Sequence, residues 1–255
     1  MQIKLMRKKI FMLIAVFLLV TGQTIAIKKV ERNNAQTQGE MESLQTWKAG
    51  RQISQETINR YGWEKCFVSM TINDNIFKRI YGHSFKRNCT VPRSQLRYLK
   101  VLHYTIDGKI QLGEIICNKT IANDLLDIFR NLYNAKYPIE RMILIDEFDA
   151  NDLRSMEANN TACFNFRPMT GAKKLSNHAL GKAIDINPLY NPYVKHTANG
   201  TIIKPLAGKP YIHREKSFNY KIDHNDLCYK EFIKHGFQWG GAWKSLKDYQ
   251  HFEKN

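Results

Sequence analysis

Between residues 96 and 187 the apolar positions fall into recognisable periods. Residues 97–105 (RYLKVLHYT) and 109–117 (KIQLGEIIC) read as two strands around Asp107-Gly108, a dipeptide suited to a tight hairpin turn. Ile121, Leu125, Ile128, Phe129 and Leu132 recur at three and four, which predicts a helix capped by Thr120; Pro138 bars its continuation. The apolar run 142–148 (MILIDEF) predicts a central strand, and 151–159 a second helix. From Lys182 onward, strand alternation puts Ala183, Asp185 and Asn187 on one face and Ile184 and Ile186 on the core side. Residues 187–222, rich in Pro, Asn, Tyr and Gly, read as a long ordered loop. A helix over 226–235 stops at Gly236, and a last short strand is expected around 248–252. Helices mixed with hairpins predict an α+β fold, a small antiparallel sheet with flanking helices.

Ahead of this region the pattern is different. Residues 1–9 contain Lys4, Arg7, Lys8 and Lys9 with no acid, and residues 10–20 are apolar throughout. Small residues follow at Thr24 and Ala26. Eleven apolar residues are few for a span, which takes roughly 20, so 1–26 reads as an export signal or, if retained, an anchor. Residues 27–50 are polar and read as a flexible lead-in. Residues 51–94, broken by Gly62, Asn73, Gly82 and Pro92, read as a peripheral extension ahead of a main domain over 95–255.

Composition narrows the class. At 255 residues, 43% hydrophobic and 24% charged, the chain is neither disordered, fibrous nor a multi-span membrane protein. Lys and Arg number 39 against 23 acids, a formal charge of +16 that falls to +12 without the signal's four cations. Such a surface suits a polyanion. Nucleic acid is set aside because export is expected and no reader element is present. A membrane is met only through the N-terminal segment if it stays attached. Oligomeric state is not legible. The five cysteines contain no C-x-x-C, which excludes a cysteine zinc knuckle, and their odd number leaves at least one unpaired.

The chemistry concentrates in two stretches. In the first, Ser176-Asn177-His178-Ala179-Leu180-Gly181-Lys182-Ala183-Ile184-Asp185, a turn at Gly181 could bring the His178 imidazole over the face that carries Asp185. In the second, Asp248-Tyr249-Gln250-His251, a further imidazole could complete a His-Asp-His set and leave one position of a tetrahedral Zn2+ open. Asp248 could reach the open position if the backbone bends between it and His251.

Ser176, His178, Gly181, Ala183 and Asp185, followed by Asp248 and His251, resemble the zinc peptidases of the D-alanyl-D-alanine carboxypeptidase and L-alanyl-D-glutamate peptidase family. That family's signature is S-x-H-x-x-G-x-A-x-D and then an acid-x-x-H. The surroundings over 95–255 are similar to its wall-peptidase branch. The resemblance implies the hedgehog- and D-Ala-D-Ala-peptidase-like fold, zinc held by His178, Asp185 and His251, and Asp248 as general base and then acid, where many members have Glu. It also implies an oxyanion-stabilising arginine. The usual place after 142–148 holds Asp149-Ala150-Asn151, which leaves Arg167, with Arg154 as the rival. Ser176, Asn177 and Trp239 are candidates for substrate contact, although Trp239, like Trp243, could equally serve the core. The implied substrate is a peptidoglycan stem peptide in the periplasm or cell envelope, or outside the cell. D,D-carboxypeptidase is favoured, L-alanyl-D-glutamate endopeptidase is the variant, and a non-catalytic wall- or ligand-binding protein on the same scaffold is the alternative.

Overall fold

A computed structural model describes residues 25, 28–167 and 175–255. All but one residue of the expected export signal lies outside the described residues. Two compact units are present, 1–46 and 47–255. In the first, 28–46 is helical (α1) rather than a flexible lead-in. Its Lys, Glu, Gln, Arg and Ala residues are good helix formers, and polarity had masked that propensity. Among the described residues no helix is long and apolar enough to cross a membrane.

The second unit is built on the expected hairpin. Strands β2 (Leu96–Tyr104) and β3 (Ile110–Asn118) pair antiparallel, and Gly108 turns between them at a φ of 76°. Helix α4 (Ala122–Asn134) packs on β2 through buried Leu125, Ile128, Phe129 and Leu132. Thr120 does not cap it: Asn118 Oδ1 takes both the Thr120 N–H and hydroxyl, which shapes the turn into the helix. Residues 51–94 are not separated from this sheet. After helix α2 (Gln55–Tyr61), strand β1 (Val68–Thr71) pairs antiparallel with β2, and helix α3 (Asp74–Ile80) follows.

Strand β3 is buried on both faces, and irregular segments line its free edge. Gly50 N–H donates to Leu112 O, Glu114 N–H to Met142 O and Phe164 N–H to Ile116 O. The run 142–148 is therefore not a central strand. Met142 and Leu144 are buried in extended coil, and Ile145–Phe148 is a 3-10 turn. An apolar run reports burial, which coil against a strand edge satisfies as well as a strand does. Helix α5 (Asp152–Glu157) follows, capped by Asn151.

The C-terminal half carries two further three-stranded antiparallel sheets. In one, β4 (Ala183–Asp185) pairs with β9 (His251–Glu253), which also pairs with β7 (Gln238–Trp239). Helix α6 (Leu227–Lys234) backs it, with Phe232 stacked on Phe252 at 4.3 Å. The other sheet lies partly within the expected loop 187–222: β5 (Tyr193–Thr197) pairs with β6 (Gly200–Lys204) and with β8 (Lys247–Asp248). The expected last strand is thus two strands in two sheets, broken at Tyr249-Gln250.

Candidate metal centre

The end of β3 holds the first motif in place. Asn118 N–H donates to Gly181 O (2.7 Å) and Asn118 Nδ2 to Leu180 O (3.0 Å). Gly181 has a φ of 67°, and a Cβ there would lie 2.7 Å from Asn118 N, so only glycine fits the turn. Ser176 Oγ accepts the Ala179 N–H (3.1 Å) and closes the same turn. The turn lays His178 against the β4–β9 pair, in which Asp185 stands directly opposite His251.

The three side chains converge. Their donor atoms all lie within 4.8 Å of one another. His178 Nε2 is 3.2 Å from His251 Nδ1 and 3.3 Å from Asp185 Oδ1, and His251 Nδ1 is 3.1 Å from the same oxygen. The outer nitrogens decide what these inner atoms are. His178 Nδ1 sits 2.7 Å from Cys163 O, and a carbonyl only accepts, so that nitrogen carries the proton. His251 Nε2 sits 3.1 Å from the Glu253 carboxylate and donates for the same reason. With the outer nitrogens donating, both inner ring nitrogens and a carboxylate oxygen face one point, each ring offering a lone pair there in its neutral form. Three acceptors in contact call for a cation between them, and two imidazoles with one carboxylate form a donor set suited to a divalent transition metal.

Titration expresses the same demand. Burial opposes charge on His251, but hydrogen bonds to Asp185 and Glu253 and the charges of Asp185 and Asp248 outweigh it and push the ring up to about 10. Burial would raise the Asp185 carboxyl, yet the charge and hydrogen bonding of His178 and His251 hold it well below the carboxylate range. Without a metal, a proton takes the cation's place. A metal bound at this point would displace it.

Asp248 stands beside this cluster because the chain crosses between sheets at Tyr249-Gln250. Gln250 Nε2 donates to Asp248 Oδ1 (3.1 Å). Gly240 permits the crossing: a Cβ there would lie 2.7 Å from Asp248 O and 3.2 Å from His251 Cβ. Burial, and then the charge of Asp185, raise the Asp248 carboxyl to about 6, a value suited to moving protons near neutrality.

Other candidates lie elsewhere. Asn177 donates through Nδ2 to Glu253 (2.7 Å), which anchors the turn. Trp239 is 5% exposed, its Nε1 donates to Tyr249 O (2.9 Å), and its ring sits among His224, Tyr229 and Tyr249, a core position. Trp243 is the indole beside the His-Asp-His cluster, 5.2 Å from the His251 ring. Arg167 forms an ion pair with Asp152, and Arg154 with Asp149. Neither pair joins the His-Asp-His cluster. Asn187 leaves the expected face: it is fully buried and binds the backbone of Pro138 and Glu140. Glu253 and the Cys163 carbonyl escaped the sequence reading. Glu253 carries one signal, its position two residues beyond a candidate ligand on a strand.

Residues 170–254 match a protein-family model described as D-alanyl-D-alanine carboxypeptidase. The segment resembles a peptidase family. It contains His178, Asp185, Asp248 and His251, but begins after Arg167 and is shorter than the 95–255 expected from the surroundings of the motifs. No curated protein and no solved structure matches the chain. Together the match and the donor set support a peptidase with a side-chain group able to hold a metal.

Proposed function

We propose that this protein is an exported, zinc-dependent peptidoglycan peptidase with the hedgehog- and D-Ala-D-Ala-peptidase-like fold, most simply a D,D-carboxypeptidase. The observation that carries the proposal is the convergence of three acceptors, His178 Nε2, Asp185 Oδ1 and His251 Nδ1, beside a raised carboxyl at Asp248. Zinc, when bound, supplies Lewis acidity and lowers the pKa of water toward ~7. Asp248, oriented by Gln250, takes the proton of the attacking water and delivers it to the leaving amine. Gly240 and the break at Tyr249-Gln250 keep this carboxylate close to the ligands while it belongs to a different sheet. Arg167 acts as the oxyanion donor in this reading only on release from Asp152. The net positive charge favours an anionic wall polymer as substrate.

The test is a mass-spectrometric digest of purified stem peptides with and without a zinc chelator. Chelator-sensitive loss of one terminal alanine is the expected result. Cleavage before D-glutamate assigns the endopeptidase instead. Metal and peptide binding without any product would replace the enzyme by a binding protein.

A further inference from the structure

We infer that Glu253 is a positioning residue that locks the His251 ring in its metal-ready tautomer and ties the two ligand-bearing segments together; this rests on the metal-site reading above. Its Oε2 accepts from His251 Nε2 (3.1 Å) and from Asn177 Nδ2 (2.7 Å). Asn177 immediately precedes the ligand His178 and closes its turn through Asn177 O, which accepts from Leu180 N–H and Lys182 N–H. One carboxylate oxygen therefore joins the turn bearing the first ligand to the strand bearing the last.

Local structure makes this possible. Residues two apart on a strand point to one side, so Glu253 follows His251 on the same face of β9. Its cross-strand neighbour on β4 is Ala183, just as Asp185 is the neighbour of His251. The alanine of the first motif thus sets only a methyl group opposite Glu253.

The consequence lies on the opposite side of the ring. While Nε2–H is held by Glu253, Nδ1 keeps its lone pair toward Asp185 and His178. Without Glu253 the proton is free to move to Nδ1, where Asp185 Oδ1 waits at 3.1 Å. That tautomer satisfies the buried carboxylate and occupies the position a metal needs. Glu253 thus fixes which ring nitrogen faces the cluster, Nδ1 rather than Nε2, and its negative charge strengthens the ring as a ligand.

The measurement is the Zn2+ dissociation constant of the full protein, by competition with a chromogenic chelator, for wild type, Glu253→Gln and Glu253→Ala. Glu253→Ala should bind about 10–100-fold more weakly, and Glu253→Gln, whose amide oxygen still accepts from Nε2–H, should recover most of the loss. A folded Glu253→Ala protein with wild-type affinity, or a Gln variant no better than Ala, overturns the inference while leaving the metal site intact. A wild-type protein with no Zn2+ affinity removes both. Independently of any variant, nitrogen–proton NMR of the Zn2+-loaded wild type should show His251 protonated at Nε2 and His178 at Nδ1. Protonation of His251 at Nδ1 overturns the inference.

Discussion

The buried cluster around Glu114 and the one around Asp185 differ in whether their charges cancel. Around Glu114, 1% exposed on β3, Arg79 of α3 donates twice (2.8 and 2.6 Å) and the Tyr98 hydroxyl once (2.5 Å). Each donor meets an acceptor, and the pair is closed. Burial, and then the charge of Glu114 and its hydrogen bond, hold the Tyr98 phenol protonated well above its ordinary range. Around Asp185, by contrast, two ring nitrogens and a carboxylate face one another as acceptors, and the donors they lack must come from outside. The first cluster fastens 74–80 to the sheet. The second leaves a demand for positive charge at its centre, and such a demand separates a ligand site from a structural ion pair.

This contrast can be broken from either side. The largest effect is expected of Asp185→Ala, which removes the carboxylate from the proposed ligand set: Zn2+ uptake and hydrolysis should both fall to background, whereas the fold, read by circular dichroism, survives. Asp248→Asn should keep Zn2+ yet lower kcat about 10²–10⁴-fold, the usual contribution of a general base. Loss of the metal in that variant would move Asp248 into the ligand set. Arg79→Leu attacks the closed cluster and leaves Glu114 buried without its cation. Breaking such a pair costs about 3 kcal/mol, toward the lower end of the usual range because Arg79 is 38% exposed. Urea denaturation should register that loss while Zn2+ affinity stays at the wild-type value.

The smallest effect concerns a third carboxyl, which neither pairs with a cation nor faces a metal. Asp226 caps α6, accepting from Tyr229 N–H and the Tyr137 hydroxyl, and burial raises it to about 6 from an ordinary 3.8. The folded state therefore holds more protons than the unfolded chain across roughly pH 4–6, so stability falls as pH rises through that window and the penalty is complete above it. Asp226→Asn keeps the cap and the Tyr137 contact and removes the titration. Its Tm should match wild type near pH 4 and exceed it at pH 8, by about 2 kcal/mol in stability terms. Equal Tm values at both pH values would show that burial does not strain this carboxyl.

The residues legible in the sequence are those whose chemistry is local. His178, Gly181 and Asp185 lie within eight positions, and one glycine turn followed by one strand is enough to bring imidazole and carboxylate together. The hairpin at Asp107-Gly108 and the helix holding Leu125 and Phe129 were equally plain, since period and turn chemistry are carried by consecutive residues. The run 142–148 was not, because extended coil along the edge of β3 buries Met142 and Leu144 as fully as a strand would. The helix at 28–46 was hidden by the reverse ambiguity, a polar composition common to helical and disordered chains.

Local spacing therefore settled which side chains could bind a metal, and strand pairing settled how they meet. Asp185 opposes His251, and Ala183 opposes Glu253, because β4 pairs with β9 in one register across 66 residues of chain. Asp248 reaches the site because the chain changes sheets between it and His251. Asn177 turned out to anchor Glu253 and Trp239 to fill the core, assignments that depend on neighbours distant in sequence. A side chain's type and spacing limit the chemistry it can do; its hydrogen-bond partners, fixed only when the sheets pair, decide which ring nitrogen keeps its proton and which is left to bind.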